Sequence, residues 1–324
     1  MIITRTPYRV SLFGGGTDHP NWYHENGGAV LSFAIDKYCY ITLRELPPFF
    51  EHNFRIVYSK VETVKEVEQI EHPAVRVGFQ KYAPGYALEI QHHGDLPSRS
   101  GVGSSSAFAV GLINSLTQLT GRKLSSHELA NEAIFFEQKD LNETVGSQDQ
   151  IACSLGGMNF IEFGRGDKWS SEKISPSNSY LEELENRVVL IFSGISRLSS
   201  DVSKALLQDI DSKRDFMTRT RDLASECKDL IVNERSLKEI GPMLLESWAL
   251  KKSMNSTSVT PVLAEFFEKG LKAGAEGGKI LGAGGGGFFL FWVDPEIREL
   301  FIQRMHPAVH VPIRVSTEGT TRII

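Results

Sequence analysis

The chain has 324 residues, 41% hydrophobic and 23% charged, enough for one large or two modest domains with their own cores. With 35 basic and 40 acidic residues the net charge is −5, with no long run of one sign, which argues against a nucleic-acid face or a basic membrane-hugging surface. The start lacks an apolar signal-type segment, and nothing later approaches roughly 18 consecutive apolar residues, so neither a signal peptide nor a membrane span is expected.

Three cysteines, Cys39, Cys153 and Cys227, are odd in number and lack CxxC spacing. They read as reduced core thiols of a cytoplasmic protein rather than a disulfide framework or a zinc site. In the first strand Tyr8, Val10 and Leu12 alternate with Arg9, Ser11 and Phe13, and the run ends at Gly14-Gly15-Gly16-Thr17-Asp18. Further strands are predicted at 29–35, 38–43, 54–58 and 86–91.

The most informative stretch follows, from Pro97 through Gly101, Val102, Gly103, Ser104, Ser105 and Ser106 to Ala107. Two glycines and three hydroxyls run straight into a helix predicted from about Ser105 to Leu119 and stopped at Gly121. Unpaired N–H groups and the positive end of the helix dipole then converge, an arrangement suited to phosphate. A second helix starts at a capping box, Ser125 with Glu128, flanked by Leu124 and Leu129 as a hydrophobic staple.

Glu137 falls on the apolar stripe of that helix, with Ala130, Ala133, Ile134 and Leu141. Either it is a misplaced surface glutamate, or it is a Mg²⁺ ligand opposite the phosphate loop with Ser105 as the second protein ligand. Asp149 sits in a first helical turn, with Ser147 and Gln150 at capping-box spacing. It either complements the helix dipole or accepts a proton from a substrate hydroxyl, with Arg9 as its counter-charge.

After a strand at 158–163, the polar stretch 164–179 is the best linker candidate. The second half opens on a strand at 187–192 and carries long helical patterns over 199–233 and 237–254. The run Gly282–Gly287 fits GxGxxG, but a β-prone Phe288–Val293 follows where a dinucleotide fold needs a helix. A tight turn approaching a ligand or the first loop fits better. Lys279 is followed by Ile280, so Walker A is absent as well. A helix over 295–304 and a strand over 310–315 close the pattern, an α+β chain divided at 1–180 and 181–324.

Together, Pro7–Asp18, Pro97–Ala107 and Gly277–Gly287 resemble the three ordered motifs of the GHMP kinase superfamily. The Gly-Gly-Gly-Thr-Asp form of the first motif resembles its heptose 7-phosphate kinase group. So do Gln148-Asp149-Gln150 before Gly156-Gly157-Met158-Asn159-Phe160, and the Glu318-Gly319…Arg322-Ile323 ending. The resemblance implies a ribosomal-protein-S5-like N-terminal domain, a ferredoxin-like C-terminal domain and a site between them.

By position it makes Asp149 the catalytic acid-base group beside Arg9, and Glu137 and Ser105 the magnesium ligands. Pro97 and residues 101–106 become the ATP phosphate loop. Gly16, Thr17, Asp18, Gly284 and Gly285 are expected to meet the sugar, with Arg197 and Lys252 (or its neighbour Lys251) at a distal phosphate. Val102 and Ser106 depart from the usual GLGSSAA but keep size and backbone freedom.

The implied cofactors are ATP and Mg²⁺, and the implied reaction phosphorylates the anomeric C1 hydroxyl of D-glycero-D-manno-heptose 7-phosphate. No nucleic-acid or membrane partner is expected, and a homodimer is left open. An L-fucokinase or galactokinase type acting on a free sugar, and a non-catalytic sugar- and nucleotide-binding regulator, stay open as alternatives.

Overall fold

The computed structural model describes residues 1–195, 213–254 and 259–324. Strand β1 (Ile2–Phe13) and the long β2 (Gly28–Glu45) flank α1 (Pro20–Asn26) and pair antiparallel along most of their length. Strands β3 (Phe54–Val57), β4 (Val61–Val64) and β5 (Leu88–Gly94) extend the sheet beyond β2. Strand β6 (Met158–Phe163) pairs with the start of β2, and β7 (Trp169–Ile174) pairs with β6. The stretch expected to be a linker thus holds a strand: Ser170 and Glu172 pair with Glu162 and Phe160.

Helix α2 (Pro73–Tyr82) and α3 (Ser104–Leu119) cover this sheet. Residues 106–113 of α3 are all buried, so the helix is apolar on every side, as a central helix must be. It settles close to β1 through small and hydroxyl residues. Thr4 and Ser115 share a hydrogen bond at 2.8 Å, and a Cβ at Gly111 would lie 2.8 Å from the Thr6 hydroxyl.

Helix α4 (Ser126–Phe135) begins with the expected capping box, the Glu128 N–H donating to Ser125 Oγ while the Ser125 N–H donates back to the Glu128 carboxylate. It ends sooner than its apolar stripe suggests, and residues 136–140 form a single π-helical turn that carries Glu137 inward. Helix α5 (Gln148–Leu155) holds Asp149 in its first turn.

Helix α6 (Asn178–Arg187) leads into a second sheet of β8 (Val188–Phe192), β9 (Gly277–Ile280), β10 (Phe288–Trp292) and β11 (Val309–Val311), in the order β11-β8-β10-β9. Phe288, Leu290 and Trp292 face the main apolar cluster, while Phe289, Phe291 and Val293 face a second one. A strand covered on both sides explains why this run is continuously apolar. Helices α7 (Arg214–Val232), α8 (Ile240–Met254), α9 (Pro261–Ala273) and α10 (Arg298–Met305) complete the C-terminal half.

The chain end then returns to the first sheet. Strand β12 (Thr321–Arg322) pairs with β1, Thr4 opposite Arg322 and Arg5 opposite Thr321. Just before it, the 318–320 segment packs on the end of α5, where the Thr320 N–H donates to the Cys153 carbonyl at 3.0 Å. All three cysteines are free and buried. Among the described residues, no helix is long and apolar enough to cross a membrane.

The tail contact is tight enough to test. Gly156 has φ +67°, and a Cβ there would lie 2.1 Å from the Glu318 carbonyl carbon. Gly156→Ala is expected to destabilise the protein by more than about 1 kcal/mol in a urea melt, since strain and clash add.

Candidate active site

A cleft of about 1170 Å³ opens where the N-terminus of α3, the start of α5 and the 282–286 turn meet. Its phosphate-sized corner is built by glycines. Gly101 and Gly103 have φ of +86° and +74°, and a Cβ at Gly101 would lie 2.6 Å from the Leu281 carbonyl oxygen. The third glycine-rich run therefore packs backbone to backbone against the second, and the Phe288 N–H donates to the Ser100 carbonyl at 2.9 Å. Gly103 caps α3 in the left-handed conformation with no side-chain bond, so the first N–H groups of the helix receive no cap.

Arg9 reaches this corner from β1. The register of β1 against β2 slips between Pro7 and Arg9, and such a bulge re-aims the side chains that follow it. Arg9 is 3% exposed. Its Nε and Nη2 donate to the two oxygens of Asp149, each at 2.7 Å, and Nη1 donates to the Gly101 carbonyl at 2.7 Å. Burial pushes the Asp149 carboxyl up; the charge and hydrogen bonds of Arg9 oppose that, and nearby Asp18 adds to it.

Glu137 has different company. Ser105 and Ser106 donate to its two oxygens at 3.2 and 2.7 Å, and Gln150 Nε2 donates at 2.5 Å. No cation pairs with it among the described residues, and burial raises its pKa to about 7. A buried carboxylate with neutral donors and a hydroxyl on either oxygen suits a divalent ion that also takes phosphate oxygens. The expected Ser147–Gln150 capping box does not form. Gln150 is drawn to Glu137 instead, and the Ser147 hydroxyl accepts from Gln138 at 3.1 Å.

Asp18 accepts from the Gly16 N–H at 2.8 Å and the Gln148 N–H at 3.2 Å, linking the first glycine motif to α5. Gly146 must be a glycine here, because its Cβ would fall 1.9 Å from Asp18 Oδ2. Arg9, Gly16, Asp18, Gly101, Gly103, Ser104, Ser105, Ser106, Glu137, Asp149 and Gly284 all line the one cleft.

Other expected residues lie elsewhere. Thr17 is fully buried and spends its hydroxyl on the Gly14 and Ala29 carbonyls, at 2.8 and 3.1 Å. Val102 points into the apolar cluster, and only its backbone serves the site, accepting the Arg9 N–H at 3.0 Å. Pro97 is exposed, its carbonyl accepting from Ser100 Oγ at 2.6 Å, and Gly285 is buried behind Gly284. Lys252 is exposed, because consecutive helical residues point about 100° apart. Lys251 faces the cleft in its place and donates to the Gly282 carbonyl at 2.5 Å. Arg197 falls outside the described residues.

Two features escaped sequence reasoning. Lys279 lines the cleft at 7% exposure and donates to the Leu12 carbonyl at 3.1 Å; its only signal was a lone lysine ahead of an apolar run. Tyr58, His72, His92 and Phe108 gather in an aromatic group at the far end, with ring centroids 5.1 Å apart from Tyr58 to His72, His72 to Phe108 and His92 to Phe108. They come from separate elements, so no local spacing reveals them.

Comparison with known proteins adds the lineage. Residues 62–157 match the GHMP kinases N terminal domain and residues 227–309 the GHMP kinases C terminal domain, together more than half of the chain. A D-glycero-alpha-D-manno-heptose 7-phosphate kinase of Campylobacter jejuni is 29% identical over 91% of this chain and 90% of its own. The bifunctional fucokinase/GDP-fucose pyrophosphorylase of Arabidopsis thaliana is 25% identical over 95% of this chain but 31% of its own. A crystal structure titled D-glycero-D-manno-heptose 1-phosphate kinase, from Bacteroides thetaiotaomicron, superposes with a TM-score of 0.82 at 22% identity, covering 100% of this chain and 99% of its own.

The environment of Glu137 makes a pH signature. Its folded-state pKa of about 7 lies above the ordinary 4.5, so folding takes up a proton between those values. Metal-free protein should then lose this contribution as pH rises through about 7. In Glu137→Gln the metal-free melting temperature should fall less between about pH 5 and about pH 8 than in the wild type. Equal falls in paired calorimetric scans would show that the carboxyl is not held in its acid form.

Proposed function

The chain belongs to the GHMP kinases, phosphotransferases with an alcohol as acceptor, and on that footing we propose that it moves the γ-phosphoryl group of ATP to the anomeric C1 hydroxyl of D-glycero-D-manno-heptose 7-phosphate. The product would be the 1,7-bisphosphate. The observation that carries this reading is the clamped Arg9–Asp149 pair directly beside the glycine-serine start of α3. It is supported by likeness to the heptose 7-phosphate kinase over nine-tenths of both chains.

In this reading the uncapped N–H groups of α3, with Gly101, Gly103, Ser104 and Ser106, cradle the ATP phosphates. Glu137 and Ser105 would hold magnesium, which when bound neutralises charge on the phosphate oxygens. Asp149 takes the proton of the C1 hydroxyl. A carboxylate offers about four lone-pair sites, and Arg9 occupies two, so one oxygen can still accept. An anomeric hydroxyl is more acidic than an ordinary alcohol, so a modest base with good positioning suffices.

Arg9 holds the carboxylate in a fixed plane, and its charge opposes the rise in pKa that burial causes. Asp18 faces the same space and is assigned to a sugar hydroxyl. Residues 1–180 would supply the cradle and the base and 181–324 the opposite wall, the final strand crossing back.

Asp149→Asn keeps shape and loses basicity. Turnover with Mg·ATP is expected to fall roughly 10²- to 10⁴-fold while nucleotide affinity stays near the wild-type value. A coupled ADP-release assay with equilibrium nucleotide titration checks this, and near-normal turnover would remove Asp149 as the base. The same assay run on heptose 7-phosphate, L-fucose and galactose tests the acceptor. A higher kcat/KM on either free sugar would overturn the heptose-phosphate assignment.

A further inference from the structure

Lys279 lies in a strand whose four residues are all buried, and Lys251 lies in the last turn of α8. Both ammonium groups turn into the cleft. Neither forms an ion pair with a carboxylate among the described residues. Lys251 donates to the carbonyls of Gly282 at 2.5 Å and Ile280 at 3.5 Å, and Lys279 to that of Leu12 at 3.1 Å. A lysine near a helix C-terminus is ordinary by itself, but this one is bent onto a different element, beside a second cation. Two like charges drawn out of water, Lys279 buried and Lys251 half-buried, are unfavourable without a counter-ion. Asp149, the acid beside Arg9, already has both oxygens engaged by that guanidinium.

An anion between the lysines would reverse the cost. Burial and the repulsion of Lys279 and Arg9 pull Lys251 down to about 7, and burial and Arg9 pull Lys279 down to about 8. Two polar atoms without partners belong to residues that line the same cleft. Ser11 Oγ and Gln148 Oε1 are both buried and unbonded, and both side chains border Gly15, whose Cβ would sit 3.2 Å from Ser11 Oγ and 3.4 Å from Gln148 Nε2. Ser11 precedes Leu12, the residue that anchors Lys279. The start of α3 is a separate anion site with its own glycines and serines. One cleft with two anion sites fits two phosphorylated ligands.

We propose that Lys251 and Lys279 form a second anion subsite, which holds a phosphate carried by the acceptor sugar and so makes a sugar phosphate the substrate class; this rests on the sugar-kinase reading above. Ser11 and Gln148 supply hydrogen bonds to the same ligand between this subsite and Asp149.

The test uses the full chain and the variants Lys251→Met and Lys279→Met, which keep the stem and remove the charge. With saturating Mg·ATP, the KM for heptose 7-phosphate should rise at least about tenfold in each, with the KM for ATP changed by less than about twofold. A raised KM for ATP with an unchanged KM for the sugar phosphate would place the lysines on the nucleotide and overturn the proposal.

A second measurement does not depend on turnover. Calorimetric titration of inorganic phosphate into protein saturated with magnesium and a non-hydrolysable ATP analogue should show binding in the wild type. Variants that keep the wild-type melting temperature should lose it. Phosphate that binds only by displacing the analogue, or equally well to the variants, refutes the subsite. Should no sugar be phosphorylated, the kinase reading fails, and this titration still decides the lysine site.

Discussion

The fork by which buried Arg9 grips the half-buried Asp149 is the contact on which the site's geometry depends. Two charges withdrawn from water are tolerable only when each polar atom has a partner in good geometry. Here Nε and Nη2 meet the two carboxylate oxygens and Nη1 meets the Gly101 carbonyl, so one side chain ties β1, the glycine-rich loop and α5 together. The surroundings follow from that demand. Gly103 has no side chain because a Cβ would sit 3.2 Å from Arg9 Cγ and 3.3 Å from Asp149 Oδ2. The slipped register before Arg9 turns its side chain toward the loop.

The carboxylates of Glu137 and Asp149 are balanced in opposite ways. Asp149 has a fixed cation and hydrogen bonds that resist the effect of burial. Glu137 has two hydroxyls and an amide, none of them charged, and its acid form is favoured up to about pH 7. One group has its counter-charge built into the chain, while the other needs one from outside. That asymmetry separates the task of handling a proton from the task of gathering cations around phosphate, with only a helix start between them.

Much of this was legible in the residues, for reasons that can be named. The glycine-serine loop was visible because glycine and serine before an apolar helix have few other uses, and Glu137 because a carboxylate on an apolar stripe is costly. The Ser125–Glu128 box appeared as spaced, since it depends on four consecutive residues. Ser147 and Gln150 have the same spacing, but Glu137, ten residues before Ser147, competed for the glutamine and won. Lys251 and Lys252 are adjacent, and two adjacent lysines cannot be ranked without the phase of the helix. Thr17 looked like a ligand group and proved to be a turn fastener, its hydroxyl shared between two carbonyls. Lys279 stands in a short Gly-Gly-Lys-Ile strand, too brief for any periodicity to show which way its side chain turns.

Strand β12 imposes an order of assembly on the chain. Arg5 is made long before Thr321, one of its strand neighbours, and the carbonyl of Cys153 waits for Thr320. During synthesis this edge of the first sheet must therefore stay open until residues 318–322 have been joined. Only then does the last segment brace the far end of the helix that carries Asp149. A ribosome-bound fragment ending before residue 318 would hold every group of the cleft and lack the brace behind one of them.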